Sequence, residues 1–168
     1  AQARQAGDKP KQAVVSHSVS LGGDHDVLLI SGPKLGGKTV LLRTVGLCCA
    51  LAQSGLPIPA AARSPLPVFG KFFADIADGR GGAASRAPFH LHLTRLREIC
   101  DQGDSNTLVL LDGLGSNMDP AEGGALGRAV VDHFAGAGIK AVISTELRRI
   151  KEAAVSTAMS ARRRDPAV

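Results

Sequence analysis

The sequence predicts an α/β fold in which a mostly parallel sheet lies between helices. Three short apolar runs bounded by turn residues support this prediction: DVLLIS at 26–31, TLVLLD at 107–112 and IKAVIST at 139–145. Such runs are typical of strands buried on both faces of a sheet. Longer segments with helical spacing separate the runs, and right-handed crossovers through helices of this length place successive strands parallel.

The remaining elements follow from the same kinds of pattern. Apolar residues at helical spacing predict helices at 39–54, 88–100 and 121–135. Further strands are predicted at 13–21, where apolar and polar residues alternate, and at 68–76. Gly55 is a stop signal after the first helix, and Pro120 precedes the third, where its fixed φ suits a first turn. The run DGRGGAAS at 78–85 predicts a mobile loop.

Length and composition predict one folded domain. A chain of 168 residues with 44% hydrophobic content can bury a single core. Residues 1–12 are polar and unpatterned, so we expect a flexible tether there, followed by one domain over 13–152. The stretch 153–168 is expected to be a disordered tail.

Composition also narrows the function classes. Aromatic residues make up 3% of the chain, and Trp and Tyr are absent, which argues against a binder that stacks single-stranded bases on aromatic rings. The net charge of +5 suits a polyanionic partner such as a nucleotide. Three cysteines do not form a disulfide framework, so a reducing, cytoplasmic location is expected. No apolar run reaches membrane-spanning length, so no membrane association is expected.

A glycine-rich loop carries the strongest functional signal. It fits the pattern G-x-x-x-x-G-K-[ST] and lies between a predicted buried strand and a predicted helix. Glycine amides and the helix N-terminus can surround phosphate oxygens, while the lysine reaches the β- and γ-phosphates. The sequence therefore predicts a P-loop NTPase fold, a three-layer sandwich, that binds nucleotide. The predicted binding residues are Gly32, Pro33, Lys34, Leu35, Gly36, Gly37, Lys38, Thr39 and Val40.

Two residues are predicted to hold Mg²⁺ beside the nucleotide. Thr39 supplies the hydroxyl of the loop, and Asp112 closes the strand TLVLLD, where a P-loop protein needs an acidic magnesium ligand. Nothing in the sequence distinguishes ATP from GTP, because no base-binding signature is recognisable.

Several segments resemble the MutS-family ATPases, in particular their bacterial MutS-two branch. The segment GPKLGGKTVLLRTVGLCCALAQSGLPIPA resembles the branch's P-loop, following helix and GLPIPA turn. FADIADG, PFHLHLTRL and LVLLDGLGSNMDPAEGGALGRAV resemble its later motifs, with Asp112, Asp119 and Glu122 in register. The resemblance runs from about residue 15 to residue 150.

The resemblance implies an ABC/MutS-type ATPase domain that uses ATP and Mg²⁺. It implies a role in DNA mismatch repair or in control of branched DNA and recombination, with DNA bound through domains not in this chain. It also implies a homodimer, weakened here because His90 and Leu91 stand where the family has serines that reach the partner's nucleotide. The family's sheet has further strands, so the resemblance implies that this chain is truncated at its C-terminus.

Two departures from the family's pattern bear on hydrolysis. After the magnesium aspartate, the family has a glutamate that polarises the attacking water, and here Gly113 has no side chain to act as a base. After the third buried strand, the family has a histidine that senses the γ-phosphate, and here the residue is Glu146, whose carboxylate would repel that phosphate. Because Gly113 and Glu146 replace the family's glutamate and histidine, no catalytic residue is predicted from the sequence.

Lesser departures concern charge near the loop. Lys34 replaces the family's P-loop asparagine and either adds positive charge for phosphate or points into solvent. Gly79 and Arg80 replace a Glu-Gln pair.

Several further polar residues suit ordinary structural roles. His90 and His92 are two apart on a predicted helix and do not share a face, so a zinc site is not expected. Asp119 and Glu122 resemble the family's loop at the dimer interface and also suit helix capping, and the two roles are compatible. The basic cluster Arg148, Arg149 and Lys151 is expected to be a solvated helix face.

Three functions remain open. The first is an ATP-binding module whose hydrolysis is impaired by the loss of the glutamate at Gly113. The second is an active ATPase in which another carboxylate, Glu146 or Glu122, serves as the base. The third is a non-enzymatic fragment that acts as an interaction module, because an incomplete sheet leaves an edge free for pairing.

Overall fold

The computed structural model of the chain describes residues 16–23, 25–33, 35–76, 89–116 and 118–146. In chain order, its elements are β1 (Val27–Ile30), α1 (Lys38–Gln53), β2 (Lys71–Asp75), α2 (Phe89–Gln102), β3 (Thr107–Leu111), α3 (Pro120–Ala137) and β4 (Lys140–Ser144). Strands and helices alternate as the sequence predicts, so the α/β class is confirmed. Most predicted boundaries differ from these by one to three residues, which is usual for element ends.

The four strands form one sheet in the order β1-β4-β3-β2, and every neighbouring pair is parallel. The central strands β3 and β4 are almost entirely buried, as their continuous apolar runs predict. Because β4 lies between β1 and β3, the carboxyl ends of these three strands are neighbours. Residues that follow Ile30, Leu111 and Ser144 therefore meet at one edge of the sheet.

Helices cover both faces of the sheet, which gives three layers. On one face, Leu42 and Cys49 of α1 pack with Leu108, Leu110 and Val142. Burial raises the pKa of the Cys49 thiol, which keeps this side chain neutral inside the core.

The opposite face carries the larger core. It contains Leu96 and Ile99 of α2, Val130, Val131 and Phe134 of α3, and Val109, Leu111, Ala141 and Ile143 of the sheet. Alternate residues of each strand point to opposite faces, so β3 and β4 contribute to both cores.

The predicted strand at 13–21 is wrong over its described part. Residues 16–21 adopt no strand, and Gly22 instead forms an isolated antiparallel bridge with His25. Residues 16–20 are all exposed, and Leu21 alone among 16–21 packs against the α1 side of the sheet. An alternating pattern forms a strand only where a neighbouring strand pairs with it and one face is buried, and the described residues provide neither here.

Several predictions concern residues outside those that the structure describes. They include the tether at 1–12, the loop at 78–85, the basic cluster at 148–151 and the tail at 153–168. Among the described residues, no helix is both long and apolar enough to cross a membrane.

Candidate functional site

The glycine-rich loop leads from β1 into α1 through backbone that favours glycine. Gly37 precedes the helix with φ 81°, a left-handed conformation. The Gly36 amide donates to the Pro33 carbonyl at 3.2 Å, and a Cβ on Gly36 would lie 3.0 Å from that oxygen. Leu35 also has a positive φ of 64°, which is costly for a residue with a side chain, and that side chain is fully exposed. Strain of this kind is concentrated at functional loops.

The N-terminus of α1 presents backbone amides without a competing partner from a side chain. Among the described residues, no side chain caps the helix and no acidic residue lies in its first turn. The first amides of a helix have no acceptor within the helix, and the helix dipole adds positive potential there. This end of α1 can therefore bind an anion such as phosphate.

Lys38, the first residue of α1, folds back over the loop. Its ammonium donates to the carbonyl oxygens of Gly32 and Pro33, both at 2.8 Å. The side chain is 11% exposed, and Glu146 lies 4.0 Å from its Nζ. The loop carbonyls thus hold the Lys38 ammonium close to the first backbone amides of α1.

Thr39, in the first turn of α1, and Asp112, directly after β3, are the two residues that the sequence predicts as magnesium ligands, and their side chains are in contact. Thr39 Oγ1 donates to Asp112 Oδ2 at 2.6 Å. Ser144, at the end of β4, donates from its Oγ to Asp112 Oδ1 at 2.5 Å, and the same Oγ accepts from the Gly113 amide at 2.9 Å. Asp112 is therefore oriented by hydroxyls from two sides. A carboxylate and a hydroxyl are the hard oxygen ligands that Mg²⁺ prefers, so this pair fits that ion.

Gly113 turns the chain immediately after Asp112. Its φ is 78°, and its amide also donates to the Ser144 carbonyl at 3.1 Å. A Cβ at this position would lie 2.9 Å from Ser116 Oγ. The position next to the candidate metal ligand thus carries no side chain, and its backbone conformation is one that glycine adopts most easily.

The segment after β4 is fixed between the ends of β1 and β3. The Thr145 amide donates to the Ile30 carbonyl, and Thr145 Oγ1 donates to the Leu114 carbonyl, both at 3.1 Å. Glu146 follows directly and is half exposed, with its carboxylate directed at Lys38. The second candidate base, Glu122, is exposed in the first turn of α3, where the Asp119 side chain caps the helix by accepting from the Ala121 amide at 2.8 Å. Capping explains Asp119 without reference to a dimer.

An aspartate–histidine pair lies at the end of β2, where no sequence pattern indicated one. His92 of α2 bonds through Nδ1 to Asp75 Oδ2, and Arg95 approaches Asp75 Oδ1 at 3.6 Å. The Asp75 carbonyl accepts from the Asp112 amide at 2.9 Å, which joins this pair to the magnesium candidate. His92 Nε2 is buried without a hydrogen-bond partner among the described residues, whereas His90 is exposed.

Removing the Asp75 carboxylate is expected to destabilise the domain. Asp75→Ala leaves His92 Nδ1 without its partner in a pair whose side chains are only 15% and 19% exposed. We expect a loss of about 1–3 kcal/mol in the free energy of unfolding, measured by urea denaturation. Asp101→Ala, which breaks the exposed Arg97–Asp101 pair, is the control and should cost less than about 0.5 kcal/mol. Equal effects of the two substitutions would show that the partly buried Asp75–His92 pair contributes no more than an exposed ion pair.

The remaining predicted site residues are placed as follows. Gly32, Pro33, Leu35, Gly36 and Gly37 form the described part of the loop, and Val40 is exposed in the first turn of α1. Lys34 and the Gly79-Arg80 pair lie outside the described residues. Within the described ranges, no group of three His, Cys, Asp or Glu side chains is arranged to hold a metal.

Comparison with known proteins identifies the family. The chain matches MutS domain V over residues 28–163. It is 45% identical to Endonuclease MutS2 of Caldicellulosiruptor saccharolyticus over 141 residues, 84% of this chain and 18% of that protein. It is 43% identical to Endonuclease MutS2 of Pelotomaculum thermopropionicum over 143 residues, 85% of this chain and 18% of that protein.

A further relative gives the same result. Endonuclease MutS2 of Geobacillus kaustophilus is 40% identical over 141 residues, again 84% of this chain and 18% of the relative. The chain therefore spans less than a fifth of the length of these relatives. Since the family match covers most of the chain and includes nearly all of the sheet, the chain belongs to the MutS domain V family.

Proposed function

We propose that this chain is a nucleotide-binding domain that holds ATP with Mg²⁺ at the loop between β1 and α1 and hydrolyses it slowly or not at all. The observation that carries the proposal is the contact of Thr39 Oγ1 with Asp112 Oδ2 at 2.6 Å, directly beside the uncapped N-terminus of α1. A phosphate site and a pair of magnesium ligands thus adjoin each other.

The residues present fit the magnesium nucleotide. The amides of the loop and of α1 would donate to phosphate oxygens, and Lys38 would exchange its two carbonyl acceptors for phosphate. Thr39 and Asp112 would hold Mg²⁺, with Ser144 keeping the carboxylate oriented. The ion would neutralise part of the negative charge of the phosphates.

The absence of a side chain at Gly113 supports slow hydrolysis. Attack on the terminal phosphate requires a group that positions and polarises water within hydrogen-bond reach. The family resemblance puts this group at residue 113, where the chain has glycine and therefore no side chain. The Gly113 amide donates to the hydroxyl and to the carbonyl of Ser144. We therefore propose that the domain acts mainly by binding nucleotide and contributes little hydrolysis.

The relatives suggest the setting in which this domain works. They are named endonucleases, and this chain corresponds to less than a fifth of each. We propose that the domain serves a larger DNA-acting protein, in mismatch repair or in control of branched DNA and recombination. DNA contact would then be made by other domains, and the homodimer implied by the family stays a prediction.

Replacing Lys38 tests nucleotide binding. We expect Lys38→Ala to weaken binding of a fluorescent ATP analogue with Mg²⁺ by roughly 30-fold or more, because truncating a desolvated charged hydrogen-bond donor typically costs about 2–5 kcal/mol. Lys71→Ala is the matched control, since Lys71 lies at the amino end of β2, away from the loop, and bonds Asp104. Binding unaffected by Lys38→Ala would refute the proposal.

One observation favours the alternative of an active ATPase. Glu146 Oε1 is 4.0 Å from Lys38 Nζ. The loop therefore has a carboxylate nearby even though residue 113 is not a glutamate. Steady phosphate release that disappears in Glu146→Gln would establish this alternative. Glu122 remains a candidate base from sequence only.

Thermal unfolding tests the third candidate, a non-enzymatic interaction module. A ligand that binds only the folded chain raises the unfolding midpoint. Mg-ATP that leaves the midpoint of the wild-type chain unchanged would favour the interaction module over both nucleotide-binding proposals.

A further inference from the structure

The carboxylate of Glu146 lies close to the loop lysine. Its Oε1 is 4.0 Å from Lys38 Nζ, and the Lys38 side chain is only 11% exposed. Thr145, the residue before Glu146, is hydrogen-bonded to Ile30 and to Leu114, and these bonds fix where the backbone enters Glu146. Lys38 therefore has two carbonyl acceptors and a carboxylate counter-ion within the chain.

We infer that Glu146 makes this site prefer a nucleoside diphosphate to a nucleoside triphosphate. This preference rests on the proposed function and narrows its ligand. The lysine of such a loop contacts both the β- and γ-phosphates when a triphosphate binds. A terminal phosphate would therefore bring negative charge close to a carboxylate that already lies beside Lys38. A diphosphate keeps the β-phosphate contact and leaves the Lys38–Glu146 pair in place.

The expected size of the preference follows from exposure. Two like charges a few ångströms apart repel strongly where solvent is excluded. The Glu146 side chain is 41% exposed, however, so water and salt weaken the repulsion. We expect the diphosphate to bind up to roughly fivefold more tightly than the triphosphate, the upper end of what a partly screened charge contributes. Mg²⁺ on both ligands reduces the difference but leaves its sign unchanged.

Calorimetric titration of four forms of the chain tests the preference. The ligands are Mg-ADP and the magnesium complex of an ATP analogue with an imido bridge between its β- and γ-phosphates, which prevents hydrolysis during the titration. The proteins are the wild type, Glu146→Gln, Lys38→Ala and the control Glu98→Gln. Glu98 is an exposed glutamate of α2, so its substitution removes the same charge away from the loop.

We expect the wild type and Glu98→Gln to bind ADP about fivefold more tightly than the analogue, and Glu146→Gln to bind the two within about twofold of each other. Equal affinities in the wild type, or a preference that persists in Glu146→Gln, would overturn the inference. In both of those cases, loss of binding in Lys38→Ala would leave the proposed function standing. Failure of both ligands to bind the wild type would instead overturn the proposed function together with this inference.

Discussion

Replacing Gly113 with glutamate is expected to raise the rate of phosphate release from ATP by roughly 100-fold or more, because a positioned general base typically contributes about 10²–10⁴-fold. Residue 113 follows Asp112 at the carboxyl end of β3, and its amide is fixed by Ser144, so a side chain there starts beside the proposed metal site. Release is measured at saturating Mg-ATP with a coupled phosphate assay.

Two control variants separate chemistry from strain. Gly113→Ala and Gly113→Gln meet the same backbone, with φ at 78° and Ser116 Oγ 2.9 Å from the new Cβ. All three substitutions should therefore lower stability by about 1–2 kcal/mol, the usual cost of a left-handed conformation for a residue with a Cβ. Only the glutamate should increase turnover. An equal rate in Gly113→Glu and Gly113→Gln would show that the missing carboxylate is not what limits hydrolysis.

Truncating Phe134 should have the largest effect on stability. Phe134 is fully buried on α3, in the core between that helix and the sheet, and its carbonyl accepts from the Ile139 amide at the turn into β4. Phe134→Ala is expected to reduce the free energy of unfolding by about 3–5 kcal/mol, as large cavities in close-packed cores do. Urea denaturation measures the change.

Leu47→Ala is the matched comparison for Phe134→Ala. It also deletes apolar atoms from a helix, but Leu47 is 60% exposed on α1, so the expected loss is below about 1 kcal/mol. If Phe134→Ala were no more costly than Leu47→Ala, the core on the α2 and α3 side would not be packed as described.

Local patterns were enough to predict the elements and the loop, because each depends on nearby residues. The apolar runs that become β3 and β4 are buried on both faces, and a glycine-rich turn of this pattern between a strand and a helix is typical of a phosphate-binding loop. The alternating pattern predicts a strand that residues 16–21 do not form, because a strand also needs a partner, which no local pattern reveals.

Contacts between distant segments could not be predicted in the same way. Ser144 orients Asp112 across 32 residues, and His92 meets Asp75 across 17. Both contacts depend on strand order, which places the end of β4 beside that of β3 and brings α2 over β2. Family resemblance pointed to Gly113 and Glu146 as departures, but the left-handed backbone of the first and the contact of the second with Lys38 required coordinates.

The position of β4 has a consequence for how the domain matures. The strand that precedes the loop and the strand that ends beside Asp112 share no hydrogen bonds with each other, since the last strand of the described chain is inserted between them. Lys140, at the start of that strand, pairs with Asp26 across 114 residues. Thr39 and Asp112 can therefore acquire their native spacing only after β4 has been synthesised, and such long-range pairing makes folding slow. A ribosome-bound chain that ends before β4 carries the glycine-rich loop without the strand that lies between β1 and β3.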